Sequence, residues 1–161
     1  MADRQLVIFN LNGEDFGVEI TQVKEIIKPM EIFKVPDTPE FIEGLINLRG
    51  KVHTIFNLRR RLGLPVKEFD DGTKIIIVSV NSMLVGFIVD EVNEIVRVGE
   101  EHIEGTPEAI TSLNKRYLSG VAKIGERIVL LLDLSNVLSF KEQEELKQIV
   151  KESQELEYSR G

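Results

Sequence analysis

Chemistry in this chain would have to be assembled from two histidines, several adjacent acidic pairs and one arginine triplet. His53 sits in the alternating run Val52-His53-Thr54-Ile55, where an outward position is expected. His102 lies among Glu100, Glu101 and Glu104, a pattern that reads as a solvated acidic loop. The sequence has no HxH or HExxH spacing and no cysteine, so thiolate nucleophiles, disulfides and Cys-ligated metals are excluded. Asp70-Asp71 and Asp90-Glu91 are sequence neighbours. Neighbouring side chains in a strand point to opposite faces, so neither pair is placed for general acid–base work. No phosphate-binding loop and no GxSxG elbow occurs. No catalytic residue, metal or cofactor is expected, and an enzyme is not.

Binding chemistry has better candidates. Arg59, Arg60 and Arg61 form the one basic cluster, expected as a solvated helix face. Arg49 stands at the end of the apolar run FIEGLINLRG, just before Gly50. A guanidinium at a hairpin tip can hold a carboxylate with two parallel hydrogen bonds, and Glu25 is the candidate partner. The net charge of −7, from 20 Lys and Arg against 27 Asp and Glu, disfavours nucleic acid and anionic membranes. Aromatic residues are only 6%, with no Trp, so stacking platforms for bases are scarce. A small β-barrel nucleic-acid-binding module is therefore the weaker alternative to a protein-binding adaptor.

The elements that must carry these residues are mostly short strands. Leu6–Leu11 and Asp15–Ile20 flank Asn12-Gly13, a two-residue hairpin signal, and Leu45–Leu48 and Val52–Phe56 flank Arg49-Gly50. Further strands are expected at Ile32–Val35, Lys74–Val80, Met83–Asp90, Ile95–Val98, Leu118–Ile124 and Arg127–Leu132. Helical turns are expected over Thr21–Ile27, with Thr21 as N-cap, and from Asn57 to Gly63. Lys141–Glu157 reads as a long amphipathic helix, with Leu146, Ile149, Val150 and Leu156 at helical spacing. Many short strands with close turn signals predict a mainly β architecture. The N-terminus has no signal-like apolar core, and no run approaches the ~20 apolar residues of a membrane span, so a cytoplasmic protein is expected.

The sequence also echoes itself. FGVEITQVKEIIK (16–28) aligns with VGFIVDEVNEIVR (85–97), sharing Gly17/Gly86, Val23/Val92, Glu25/Glu94 and Ile26/Ile95. Gly44–Leu62 aligns without a gap with Gly120–Leu138. The blocks keep their order, which predicts two similar β-lobes, with an insertion near Gly99–Lys115. A groove between lobes is a place for another chain to dock.

Together these segments resemble the CheW family of bacterial chemotaxis adaptors. The resemblance is carried by LVIFNLNGEDFGVEI, VKEIIKPMEIFKVPDTPEFIEGLINLRGKV, NLRRRLGLP, VGFIVDEVNEIVRV and YLSGVAKIGERIVLLLDLSNVL. It implies two SH3-like five-stranded β-barrel subdomains with short helices and a C-terminal helix. The CheW-like domain would cover 4–140, with the first barrel at 12–80 and the second at 81–140. The N-terminal strand is a candidate to complete the second barrel. A C-terminal amphipathic helix and tail would occupy 141–161. After Leu138 only a helix is expected, which is similar to the stand-alone adaptor rather than to the kinase or the CheV-type fusions. The resemblance further implies coupling of chemoreceptor cytoplasmic tips to the CheW-like domain of the histidine kinase CheA. Partner-binding positions carried over by the motif match are Glu25, Asn47, Arg49 and Gly50, with Val23, Ile27 and Ile32 as groove candidates.

Overall fold

A computed structural model describes residues 3–107 and 117–137. The helix expected over Lys141–Glu157 lies outside these residues. The strands are β1 (Asp3–Leu11), β2 (Glu14–Glu19), β3 (Val23–Ile27), β4 (Ile42–Leu48), β5 (Lys51–Asn57), β6 (Lys74–Val80), β7 (Met83–Val89), β8 (Glu91–Gly99), β9 (Ile103–Glu104), β10 (Leu118–Ile124) and β11 (Arg127–Leu132). One short helix, α1 (Leu58–Arg61), follows β5. Asn57 caps it, its side chain accepting from the Arg60 amide at 3.2 Å.

Two turn signals close as the sequence predicts. Asn12-Gly13 has φ of 53° and 81°, and Arg49-Gly50 has φ of 53° and 84°. Left-handed backbone at both central residues matches the twist of the flanking strands. The same geometry recurs at Asn81-Ser82.

The strands form two sheets, β8-β1-β2-β11-β10-β9 and β3-β6-β7-β5-β4. Each curls into a barrel because its two edges are consecutive in the chain. A single 3₁₀ turn, Glu100–His102, joins β8 to β9, which pairs with β10. Beyond β3 the chain reaches Phe33, which exchanges two 2.8 Å backbone hydrogen bonds with Leu45 on β4. Only this bridge stands where the strand Ile32–Val35 is expected.

The barrels do not divide at 80/81. β7, residues 83–89, lies in the same sheet as β3–β6, while β1 and β2 belong to the other sheet. The reason is apolar patterning. In β1, Leu6 and Ile8 fill their own barrel, while Val7, Phe9 and Leu11 face a core shared between barrels. In β6, Ile75 and Ile77 fill the other barrel, while Ile76, Val78 and Val80 face the shared core. Both faces of these strands are buried, so each hairpin must lie between two apolar layers. Phe9 stacks on Phe16 at 5.9 Å, and Phe56 on Phe87 at 5.5 Å, in that shared core.

A second correction concerns Thr21–Ile27. A 3₁₀ turn covers Ile20–Gln22, Thr21 is not its cap, and Val23–Ile27 is strand β3. The register against β6 shifts between Val23 and Glu25. That bulge puts Val23 and Ile26, three residues apart, on one face against the shared core. A spacing of three imitates a helix in sequence.

His53 is also corrected: it is 8% exposed, not outward. It pairs in register with Ile46, and Ile46 fills the interior of the same barrel. On the opposite face of β5, Thr54 is fully buried and its Oγ1 has no partner among the described residues. The aligned residue of the second barrel is Leu130, which packs against the shared core. Replacing Thr54 with Val keeps the shape and removes an unsatisfied hydroxyl, so Thr54→Val should stabilise by roughly 1 kcal/mol. An unchanged or lower urea midpoint would show that the hydroxyl is satisfied.

Candidate functional site

The hairpin tip between β4 and β5 is built by its own residues. Asn47 Oδ1 accepts the Gly50 amide at 3.0 Å, which ties the turn. Leu48 packs against the interior cluster of its barrel and anchors the strand end. Arg49 is thereby held at positive φ and projects outward.

It meets Glu25. Arg49 Nη1 donates to Glu25 Oε1 at 3.0 Å and Nη2 to Oε2 at 2.5 Å, the parallel geometry of a bidentate pair. The side chains are 69% and 34% exposed. The hydrogen bonds from Arg49 hold the Glu25 carboxyl below its usual range, and they raise the guanidinium in return. β3 and β4 are the two edges of this sheet, so the pair clasps the seam of the barrel. Behind it lies His53. Burial lowers its pKa first, and the charges of Lys51 and Arg49 add to that.

The structure brings Glu25, Asn47, Arg49 and Gly50 to one surface. It separates the three apolar candidates: Val23 packs against the shared core, whereas Ile27 and Ile32 pack against the interior cluster of the first barrel. All three remain partly exposed.

The second barrel has a related ion cluster that the sequence comparison missed, although it does not join the two edge strands. Glu94 aligns with Glu25, but Gly125 stands where Arg49 would be. The cation comes from Arg127, two positions on, which bonds Glu94 at 2.9 Å and Asp15 at 3.2 and 3.1 Å. Alignment position by position could not find it.

The arginine triplet is not a solvated face. Arg59 lies with Asp90, Nε to Oδ1 at 2.7 Å and Nη2 to Oδ2 at 2.6 Å, both side chains only 11% exposed. Arg60 points toward Glu40 at 3.9 Å. Arg61 donates to the Val137 carbonyl at 3.0 Å and lies 5.4 Å over the ring of Phe41. Asp90 also accepts the Asn12 amide at 2.9 Å, from the turn of the other barrel. Burial pushes its carboxyl up, but Arg59 and the Asn12 amide outweigh that and leave it lowered. Among the described residues, no helix is long and apolar enough to cross a membrane.

A family model, the CheW-like domain, matches residues 5–142. The chain belongs to the CheW-like domain family. Chemotaxis protein CheW of Bacillus subtilis (strain 168) is 37% identical over 134 residues, 83% of this chain and 86% of that protein. Chemotaxis protein CheW of Treponema pallidum (strain Nichols) is 32% identical, over 88% of this chain and 86% of that one. The crystal structure of scaffolding protein TtCheW from Thermoanaerobacter tengcongensis superposes with a TM-score of 0.79 at 34% identity, covering 84% of this chain and 92% of that one. Within the family, the match to chemotaxis protein CheV3 of Helicobacter pylori takes in only 48% of that longer protein.

Proposed function

We propose that this protein is a non-enzymatic adaptor of bacterial chemotaxis, coupling the cytoplasmic tips of chemoreceptors to the histidine kinase CheA and supporting array assembly. The observation that carries this reading is likeness over most of the chain to chemotaxis CheW proteins, one of them a scaffolding protein with the same two-barrel fold. The surface supports it. Arg49 and Glu25 present a charged pair at a hairpin tip, already joined by two hydrogen bonds where a partner would meet it. Glu25, Asn47, Arg49 and Gly50 are the proposed contact positions; Val23, Ile27 and Ile32, which the fold divides between two apolar clusters, are proposed only through their partly exposed edges. Receptor state would act by changing the fit at this surface, and coupling of about 1–3 kcal/mol is ample to bias a kinase. The protein would work in the cytoplasm, joined to the membrane only through receptors.

A nucleic-acid module is not supported, because two of the three arginines of the basic cluster, Arg59 and Arg61, are engaged within the chain and the net charge is −7.

The test is binding of the purified protein to the CheW-like domain of a CheA kinase and to a receptor cytoplasmic tip, by calorimetry. Arg49→Ala should weaken at least one of these roughly fivefold to tenfold with an unchanged melting curve. Wild-type affinity of this variant for both partners removes Arg49 from the contact surface. Absence of binding by the unsubstituted protein to either partner refutes the adaptor reading.

A further inference from the structure

The two sequence repeats do not correspond to the two barrels. Repeat one contributes β1 and β2 to the second barrel and β3, β4 and β5 to the first. Repeat two contributes β6 and β7 to the first barrel and β8 to β11 to the second. Each repeat therefore gives its leading hairpin away and receives the other's in return.

The exchange is regular to the residue. Ile8 pairs with Gly17 and with Glu94 in one sheet, while Ile77 pairs with Gly86 and with Glu25 in the other. The parallel pairs Leu130–Phe16 and Leu131–Gly17 match Thr54–Val85 and Ile55–Gly86. Among the described residues, four of the nine strand pairings join one repeat to the other. The crossovers are stapled in the same way. Gln22, after β2, bonds the Asp133 carboxylate and the Leu134 amide, each at 3.2 Å. Asp90, after β7, bonds Arg59.

Neither repeat can complete a barrel alone, since each lacks the hairpin that lies between its own strands and the shared core. Their mutual fit is formed mainly by strand pairing, shared core and staples; of the connection between them, Leu64 reaches the shared core and the Pro65 carbonyl accepts from Arg59, while the stretch around Val66 and Lys67 adds little. That connection runs from Gly63 to Thr73, and Val66 within it is 58% exposed.

We infer that the repeats are an exchanged pair whose interface can be built in trans. Repeat one of one copy of this chain accepts repeat two of another copy as its partner, and the covalent connection serves only to raise their effective concentration.

The test uses the full chain with a flexible protease site inserted between Val66 and Lys67. Cleavage should leave both fragments together at the mass of the intact chain, with an unchanged circular dichroism spectrum. When cleaved isotope-labelled and unlabelled proteins are mixed, unfolded in urea and diluted, labelled and unlabelled halves should redistribute statistically in native mass spectra. Three results overturn the inference: unfolding on cleavage, halves that fold without re-pairing, or an uncut insertion variant that cannot fold. The last would mean that the connection is part of the fold.

Discussion

Asp90→Ala should cost about 3–5 kcal/mol of stability, because it leaves the Arg59 guanidinium buried without its counter-charge. Both side chains of the pair are 11% exposed, and every guanidinium nitrogen has a short bond, two to Asp90 and one, at 2.7 Å, to the Pro65 carbonyl. The loss reaches beyond the pair. Asp90 also accepts the Asn12 amide and donates its own amide to the Asn10 carbonyl at 3.1 Å, so it fastens the β1–β2 turn to the other barrel. Urea unfolding gives the magnitude. Replacing both partners, as Arg59→Met with Asp90→Leu, should recover most of it, because no charge is left unpaired.

The same pair gives a pH signature. The Asp90 carboxyl is lowered in the folded protein, so its contribution is complete above about pH 4, where the unfolded carboxyl is ionised. It is lost as pH falls through the folded value. The stability difference between the protein and Asp90→Ala should accordingly shrink below about pH 4. A difference that stays constant down to acid unfolding would show that Asp90 acts as a neutral spacer.

Gly44→Ala is expected to be nearly as damaging, for a steric reason. Gly44 has φ of 150°, and a Cβ there would lie 2.4 Å from the Phe33 carbonyl oxygen and 2.7 Å from Ile32 Cγ2. Phe33 is the residue whose bridge to Leu45 closes the first barrel. Relief of the clash must break that bridge or strain β4, at about 3 kcal/mol from backbone strain and two lost hydrogen bonds together. Amide exchange at Phe33 and Leu45 should accelerate more than exchange in β6. Slow exchange at both amides in the variant would refute the clash. Gly120 provides a control in the second barrel, where a Cβ would lie 2.6 Å from the Glu104 carbonyl oxygen.

Local chemistry was legible in the sequence, and long-range pairing was not. Asn12-Gly13, Arg49-Gly50 and Asn57 announce two turns and a cap because a few adjacent residues decide each one. The echo between Phe16–Lys28 and Val85–Arg97 revealed a duplication, and the register repeats it faithfully. The allotment of hairpins to opposite barrels depends on which apolar layer lies on each side of β1 and β6, a property no short window contains. β3 was misread because a bulge gives a strand the spacing of a helix. His53 was misplaced because alternation marks the outside only when one face of a strand meets water, and β5 is buried on both faces over much of its length. Of the site, the Glu25–Arg49 pair was anticipated from its chemistry. Arg59–Asp90 was missed because a run of three arginines disguises three different environments.

The exchange has a mechanical corollary. Asp3 and Leu132 belong to strands separated in their sheet by β2 alone. Tension applied between these residues would cross three adjacent strands of the second barrel. The first barrel, although it is built from the middle of the chain, would lie outside the load path until those strands gave way.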